Sequence, residues 1–111
     1  MSEQRTLIKW DLCNIKDKDL LNLIVCRKGG ENTIKILECI LQKPQNTNQL
    51  AKKLKLDYKT VAYHINIIEE HEYITAQTFQ KRTYYYPSKK LFKSLKEYTL
   101  VKEYIKFKKQ D

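Results

Sequence analysis

The sequence predicts a mostly α-helical chain with one small two-stranded β element, and three observations carry that prediction. At 111 residues and 41% hydrophobic content, the chain suffices for one compact core and leaves little room for a second. Only two Gly and two Pro occur, few for a sheet-rich fold, whereas long stretches of Lys, Glu, Leu and Ile favour helices. The β-prone residues gather in two adjacent runs, "YITAQTF" and "RTYYYP", separated by Gln80 and Lys81, which reads as a hairpin.

A first helix is expected from Asp17 to Lys28, "DKDLLNLIVCRK", with Leu20, Leu21, Ile24 and Val25 at helical spacing and Gly29 and Gly30 ending it. A second runs from Asn32 to Lys43 on the stripe Ile34, Leu37, Ile40 and Leu41, and Pro44 forbids its continuation. The third starts at "NTNQ", where Asn46 caps the free amides and Gln49 answers reciprocally, with Leu50, Ala51 and Leu54 inward. After a turn at "KLK", Asp57 is the N-cap of a fourth helix, and Leu56 packs on Val61 as a staple.

Val61, Ile65 and Ile68 face the core, so at 100° per residue the opposite side presents Lys59, Ala62, Tyr63 and Asn66, with Tyr58 near the first turn. A short helix, a tight turn and a second helix with an exposed polar and aromatic face form a helix-turn-helix, whose second helix can enter a major groove. Two ordinary bundle helices are the alternative. The hairpin that follows makes the unit a winged helix-turn-helix, its wing placing Lys81 and Arg82 against a phosphate backbone or minor groove. A hairpin that merely covers the core is the competing reading, and the turn lacks the Asn-Gly or Asp-Gly signal that would fix its register.

From Ser88 one helix is expected to run to the end of the chain, with Leu91, Leu95, Tyr98 and Ile105 on one stripe. Leu100, Tyr104 and Phe107 form a second, nearly opposite stripe that a monomer of this size would struggle to cover. A partner helix in a homodimer explains it, with the Asp17–Lys28 helix, Trp10 and Leu12 adding to the interface; packing of both stripes within one chain is the alternative. The expected organisation is therefore an N-terminal helical extension (1–28), a winged helix-turn-helix domain (29–87) and a C-terminal dimerisation helix (88–111).

The formal charge is +9, and 19 of the 22 basic residues are Lys, a bias that an AT-rich genome would also impose. Position is more informative than the total. Residues 1–45 hold 8 basic and 6 acidic groups, net +2, and residues 46–111 hold 14 and 7, net +7, so the excess lies in and after the helix-turn-helix, as a polyanion partner requires. No apolar run is long enough to span a membrane and the N-terminus carries charge where a signal peptide needs an apolar centre; a cytoplasmic location is expected. Cys13, Cys26 and Cys39 are far apart in sequence and form neither a disulfide framework nor a close metal pair. His64, at the edge of the apolar face, is read as a packed or phosphate-contacting residue, and His71 lies at the helix end. There is no phosphate-binding glycine loop, nucleophile elbow or His-x-x-x-His spacing, so neither an enzyme nor a cofactor is expected.

"KPQNTNQLAKKLKLDYKTVAYHI" and the following "IIEEHEYI" resemble the winged helix-turn-helix domains of ArsR-type prokaryotic regulators, particularly small archaeal ones, over about residues 29–87. The resemblance implies that Asn46 to Leu54 is the first helix of the unit and Asp57 to His71 its recognition helix. It also implies sequence-specific binding to duplex DNA as a dimer. Glu72 stands where that family commonly ends its recognition helix with Gly, Lys55 occupies a turn where Gly is frequent, and Ala62 and Tyr63 precede His64 where small or basic residues are usual. Base contacts therefore do not transfer.

The expected interface places Tyr58, Lys59, Thr60, Ala62, Tyr63 and Asn66 on or beside the major groove, with Asn pairing to adenine and Tyr meeting a base edge, thymine methyl or phosphate. Thr47, Lys52, Lys53 and Lys55 contact phosphate, as do Thr60 and the amides at the helix starts. Two rivals remain: a protein-interaction winged helix gripping through Tyr84, Tyr85 and Tyr86, and a sensor whose cysteines respond to oxidation or a soft metal. The three cysteines and two histidines would have to be gathered by folding for the latter.

Overall fold

Six helices and one antiparallel hairpin follow one another along residues 15–109, which the computed structural model describes, with side chains through Lys106. Trp10, Leu12, Cys13 and the side chain of Phe107 lie outside the described residues. The order is α1 (Lys18–Ile24), α2 (Gly30–Gln42), α3 (Thr47–Leu54), α4 (Tyr58–Glu70), β1 (Ile74–Phe79), β2 (Arg82–Pro87), α5 (Lys89–Lys93) and α6 (Leu95–Lys109). This is the mostly helical winged helix-turn-helix that the sequence predicts, with α3 and α4 as the helix pair and β1–β2 as the wing.

Two boundaries differ from expectation. The first helix ends at Ile24 rather than Lys28, and Gly29 and Gly30 open the next helix as its N-cap and first residue rather than closing the previous one. Close approach explains both glycines: a Cβ on Gly30 would lie 2.1 Å from the Ile24 carbonyl oxygen, and one on Gly29 would lie 2.3 Å from Cε1 of His64. The second difference is a break at Ser94, which divides the expected C-terminal helix into α5 and α6. The Ser94 amide closes α5 onto the Leu91 carbonyl at 3.0 Å, and its own carbonyl accepts the first bond of α6 from Tyr98 at 2.7 Å. Its hydroxyl donates to Asp17 at 2.6 Å, a local polar bond of the kind that competes with helix continuation.

The helix-turn-helix is built as its capping residues specify. Asn46 accepts from the Gln49 amide at 2.8 Å while Gln49 accepts from the Asn46 amide at 2.9 Å, the reciprocal box that satisfies two orphan donors. Leu50 is the one buried residue of α3, a contribution of roughly 1.5–3 kcal/mol that the cap must supplement. Asp57 occupies the N-cap of α4 without a side-chain cap bond; Leu56 and Val61 both join the core, as the staple requires.

Lys55 and Glu72 both adopt left-handed backbone, with φ of 57° and 67°. In each case the two-bond helix stop is complete: Lys55 and Leu56 donate to Lys52 and Ala51, and Glu72 and Tyr73 donate to Glu69 and Ile68. The absence of glycine therefore does not change how these helices end, at a backbone cost of roughly 1–2 kcal/mol per residue. Tyr73, just after the second stop, is fully buried and helps hold the strained turn.

All six helices and the first residue of β1 meet in one core that includes Leu20, Leu23 and Ile24 of α1, Ile36, Leu37 and Ile40 of α2, and Tyr98 and Val101 of α6. Two polar nodes bind the flanking helices to it. Asp17 accepts from the Leu20 amide at 3.1 Å, from the Tyr73 hydroxyl at 2.7 Å and from Ser94. Burial pushes this carboxyl up, but the bonds from Ser94, Tyr73 and Leu20, with the Lys90 charge, outweigh it and hold the group below its ordinary value. Asp19 accepts from His71 Nδ1 at 2.6 Å and from Lys90, whose ammonium also reaches the His71 carbonyl at 2.8 Å and lies 4.4 Å over the Tyr73 ring. Deeper in the chain, Glu38 of α2 accepts from Tyr98 at 3.0 Å and Lys102 at 2.9 Å of α6.

Candidate nucleic-acid interface

The wing is positioned by one buried residue. Gln45 donates through its side-chain Nε2 to the Cys39 carbonyl at 2.7 Å, and its backbone carbonyl accepts from the Tyr85 amide at 2.9 Å, so β2 is bridged to the chain entering α3. Tyr85 packs against the core, and burial raises its hydroxyl pKa despite a hydrogen bond with Thr47. The hairpin closes on a two-residue turn in which Phe79 pairs with Arg82, and Gln80 and Lys81 both take positive φ, 50° and 67°. That is the turn class normally filled by Asn-Gly, which is why the sequence left the register open.

α3, α4 and the wing enclose an open groove of about 700 Å³, lined by Asn46, Thr47, Asn48, Gln49, Lys52 and Tyr58 on one side and Lys81, Arg82, Thr83 and Tyr85 on the other. Its lining carries three cations and no carboxylate. The expected backbone-contacting residues divide here: Thr47, Lys52, Lys81 and Arg82 share the groove, whereas Lys53 and Lys55 are exposed outside its lining, with Lys53 donating to Gln42 at 3.3 Å.

The outward face of α4 continues from this groove. Tyr58 and Tyr63 are 55% and 61% exposed, Lys59 and Asn66 are exposed, and Thr60 and Ala62 are half-buried. Large aromatic side chains left in water on a helix that buries Val61, His64, Ile65 and Ile68 are a surface suited to contact. Glu70 lies on the same face, one turn beyond Asn66. Its charge confines favourable contact with a polyanion to the part of the face that runs from Tyr58 to Asn66, a limit that the 100° spacing also contains.

His64 is 5% exposed and sits behind this face. Nδ1 is 3.1 Å from Nη2 of Arg27, and since guanidinium can only donate, Nδ1 accepts and the ring is neutral. Burial and the Arg27 charge both lower its pKa. Arg27 also donates to the Leu23 carbonyl and Thr33 hydroxyl, so the residue acts as a brace between α1, α2 and α4.

Leu100 and Tyr104 are half-buried on α6, and Leu100 packs against the core of its own chain. Cys39 is buried and Cys26 exposed; among the described residues no three His, Cys, Asp or Glu side chains are grouped to hold a metal ion. Among them, too, no helix is long and apolar enough to cross a membrane. Tyr85 points into the protein, and so cannot join Tyr84 and Tyr86 in a single gripping surface.

No protein-family model and no curated protein matches the sequence. Solved structures do resemble the fold. The transcriptional regulator HlyU from Vibrio vulnificus CMCP6 aligns with a TM-score of 0.59 at 20% identity, covering 81% of this chain and 97% of its own. HlyU from Vibrio cholerae N16961 aligns at 0.58 and 13% identity over 77% and 94%, and its reduced form at 0.53 and 11% over 86% and 85%. At such identities the likeness is one of architecture, and what it establishes is the winged helix-turn-helix fold.

Proposed function

We propose that this chain is a sequence-specific, double-stranded-DNA-binding transcriptional regulator that acts as a homodimer, with α4 in the major groove and the wing on the backbone or minor groove. The observation that carries the reading is the carboxylate-free groove in which Lys52, Lys81 and Arg82 converge from two elements beside the exposed face of Tyr58, Lys59, Tyr63 and Asn66. Phosphates fit the groove and the start of α3, and base edges fit the helix face. The Vibrio vulnificus neighbour, a transcriptional regulator by its description, supports the reading by analogy of fold. For the dimer, the support is the half-exposed Leu100 and Tyr104 of α6 and, nearby, a mainly apolar groove of about 370 Å³ that Ile34, Cys39, Leu54 and Ile105 line.

Salt titration tests the ionic part directly. With two protomers each neutralising about three phosphates, the logarithm of the binding constant should fall with the logarithm of salt at a slope on the order of −5. Fluorescence anisotropy with a labelled duplex measures it. Binding that does not respond to salt would contradict the groove as a phosphate site.

A further inference from the structure

The outermost residue of β1 is Phe79, and it is 65% exposed. A phenyl ring held in water contributes little to the monomer, yet the hairpin keeps it at the tip, directly across the ladder from Arg82. Alternate strand residues point to opposite faces, so Phe79 shares its face with Arg82 and Tyr84, while Tyr85 anchors the other face to the body. Every β1 residue after Ile74 is exposed. At about 3.3 Å per residue, the tip therefore stands roughly 16 Å beyond the buried base of the wing.

Beside the ring, the turn carries Gln80 and the cations Lys81 and Arg82, and both cations also line the basic groove. That setting suits a polyanion with an apolar interior better than an apolar protein surface. Duplex DNA is such a polyanion, and Phe is among the side chains that open a base step from the minor groove. We infer that Phe79 is a wedge that enters the minor groove and partly unstacks one base step, bending the duplex, while Lys81 and Arg82 hold the adjoining phosphates. Pyrimidine–purine steps such as TA unstack at least cost, so the wedge adds a preference for them at a position α4 does not touch. The inference rests on the reading of this surface as a duplex-DNA interface.

The test uses the full chain and a duplex of about 30 alternating A·T base pairs, with 2-aminopurine replacing some adenines and a donor–acceptor dye pair at its ends. Anisotropy reports binding separately. Wild-type protein should raise the 2-aminopurine fluorescence and shorten the end-to-end distance as a bend of roughly 20–90° would. Phe79→Ala should bind but lose both signals, Phe79→Leu should retain them in part, and Lys81→Ala should bind more weakly yet reach both at saturation. Because the ring is exposed, the variants should keep the wild-type circular dichroism. Wild-type binding without unstacking, or unstacking by Phe79→Ala equal to wild type, overturns the wedge and leaves the duplex reading intact. No wild-type binding by anisotropy even at low salt, where phosphate contacts alone hold a basic groove to any duplex, overturns the duplex reading and the wedge with it.

Discussion

Asn66 carries an amide whose donor and acceptor together match the major-groove edge of adenine, and it projects from the solvent face of α4. Lys81 is an exposed point charge at the wing tip, assigned to phosphate rather than to a base edge. Under the proposed docking, Asn66→Ala costs about 1–3 kcal/mol of discrimination at one base pair, whereas Lys81→Ala weakens all sequences alike and lowers the salt slope by about 1. Parallel titrations of selected and scrambled duplexes separate the two, and equal effects of both changes on both duplexes would refute the division of roles. Most of this surface was legible before folding was known, because the buried positions of α4 fix its outward ones by angle alone. Phe79 was not, because its position at the tip depends on a register that Gln80 and Lys81 do not announce, and the reading of the wing stopped at its charges.

At the scale of elements, α4 is held from behind by the neutral His64 packed over Gly29 and bonded to Arg27. Its folded-state pKa is depressed, so the unfolded chain takes up a proton near the ordinary value of about 6.5 while the folded chain resists. The stabilisation is thus complete above that pH and is lost as pH falls through the folded value. Asp17 and Asp19 are also depressed, but from an ordinary carboxylate value, so their contribution is lost in a separate, more acidic window. Denaturant unfolding should show stability declining from about pH 7 to 5, with a shallower decline in His64→Gln. An unchanged slope in the variant would remove His64 from this role. The caps of α3 and α4 were readable from Asn46, Gln49 and Asp57, but the glycine pair was misread as a helix stop. The signal that places Gly29 and Gly30 is contact with His64 and Ile24, residues the sequence puts 35 and 6 positions away. The Ser94 break was hidden for the same reason, since its partner Asp17 lies 77 residues earlier.

Across the whole molecule, Asp17 and Asp19 join α1 to the end of α4 and to α5, so the flanking helices, the reading helix and the base of the wing form one mechanical unit. A partner gripping α1 or α6 would thereby fix the angle at which α4 is presented. In a two-fold dimer, that rigidity sets the distance between two recognition helices and hence the spacing of two half-sites. The most direct measurement is selection from a random duplex pool at near-physiological salt, with the retained sequences read out. The account predicts an inverted repeat whose half-sites are separated by about one helical turn, 10–10.5 base pairs, or a multiple of it. Retention of nothing, or of duplexes without a shared pattern, would contradict sequence-specific regulation and leave the basic groove as a nonspecific or protein-binding surface.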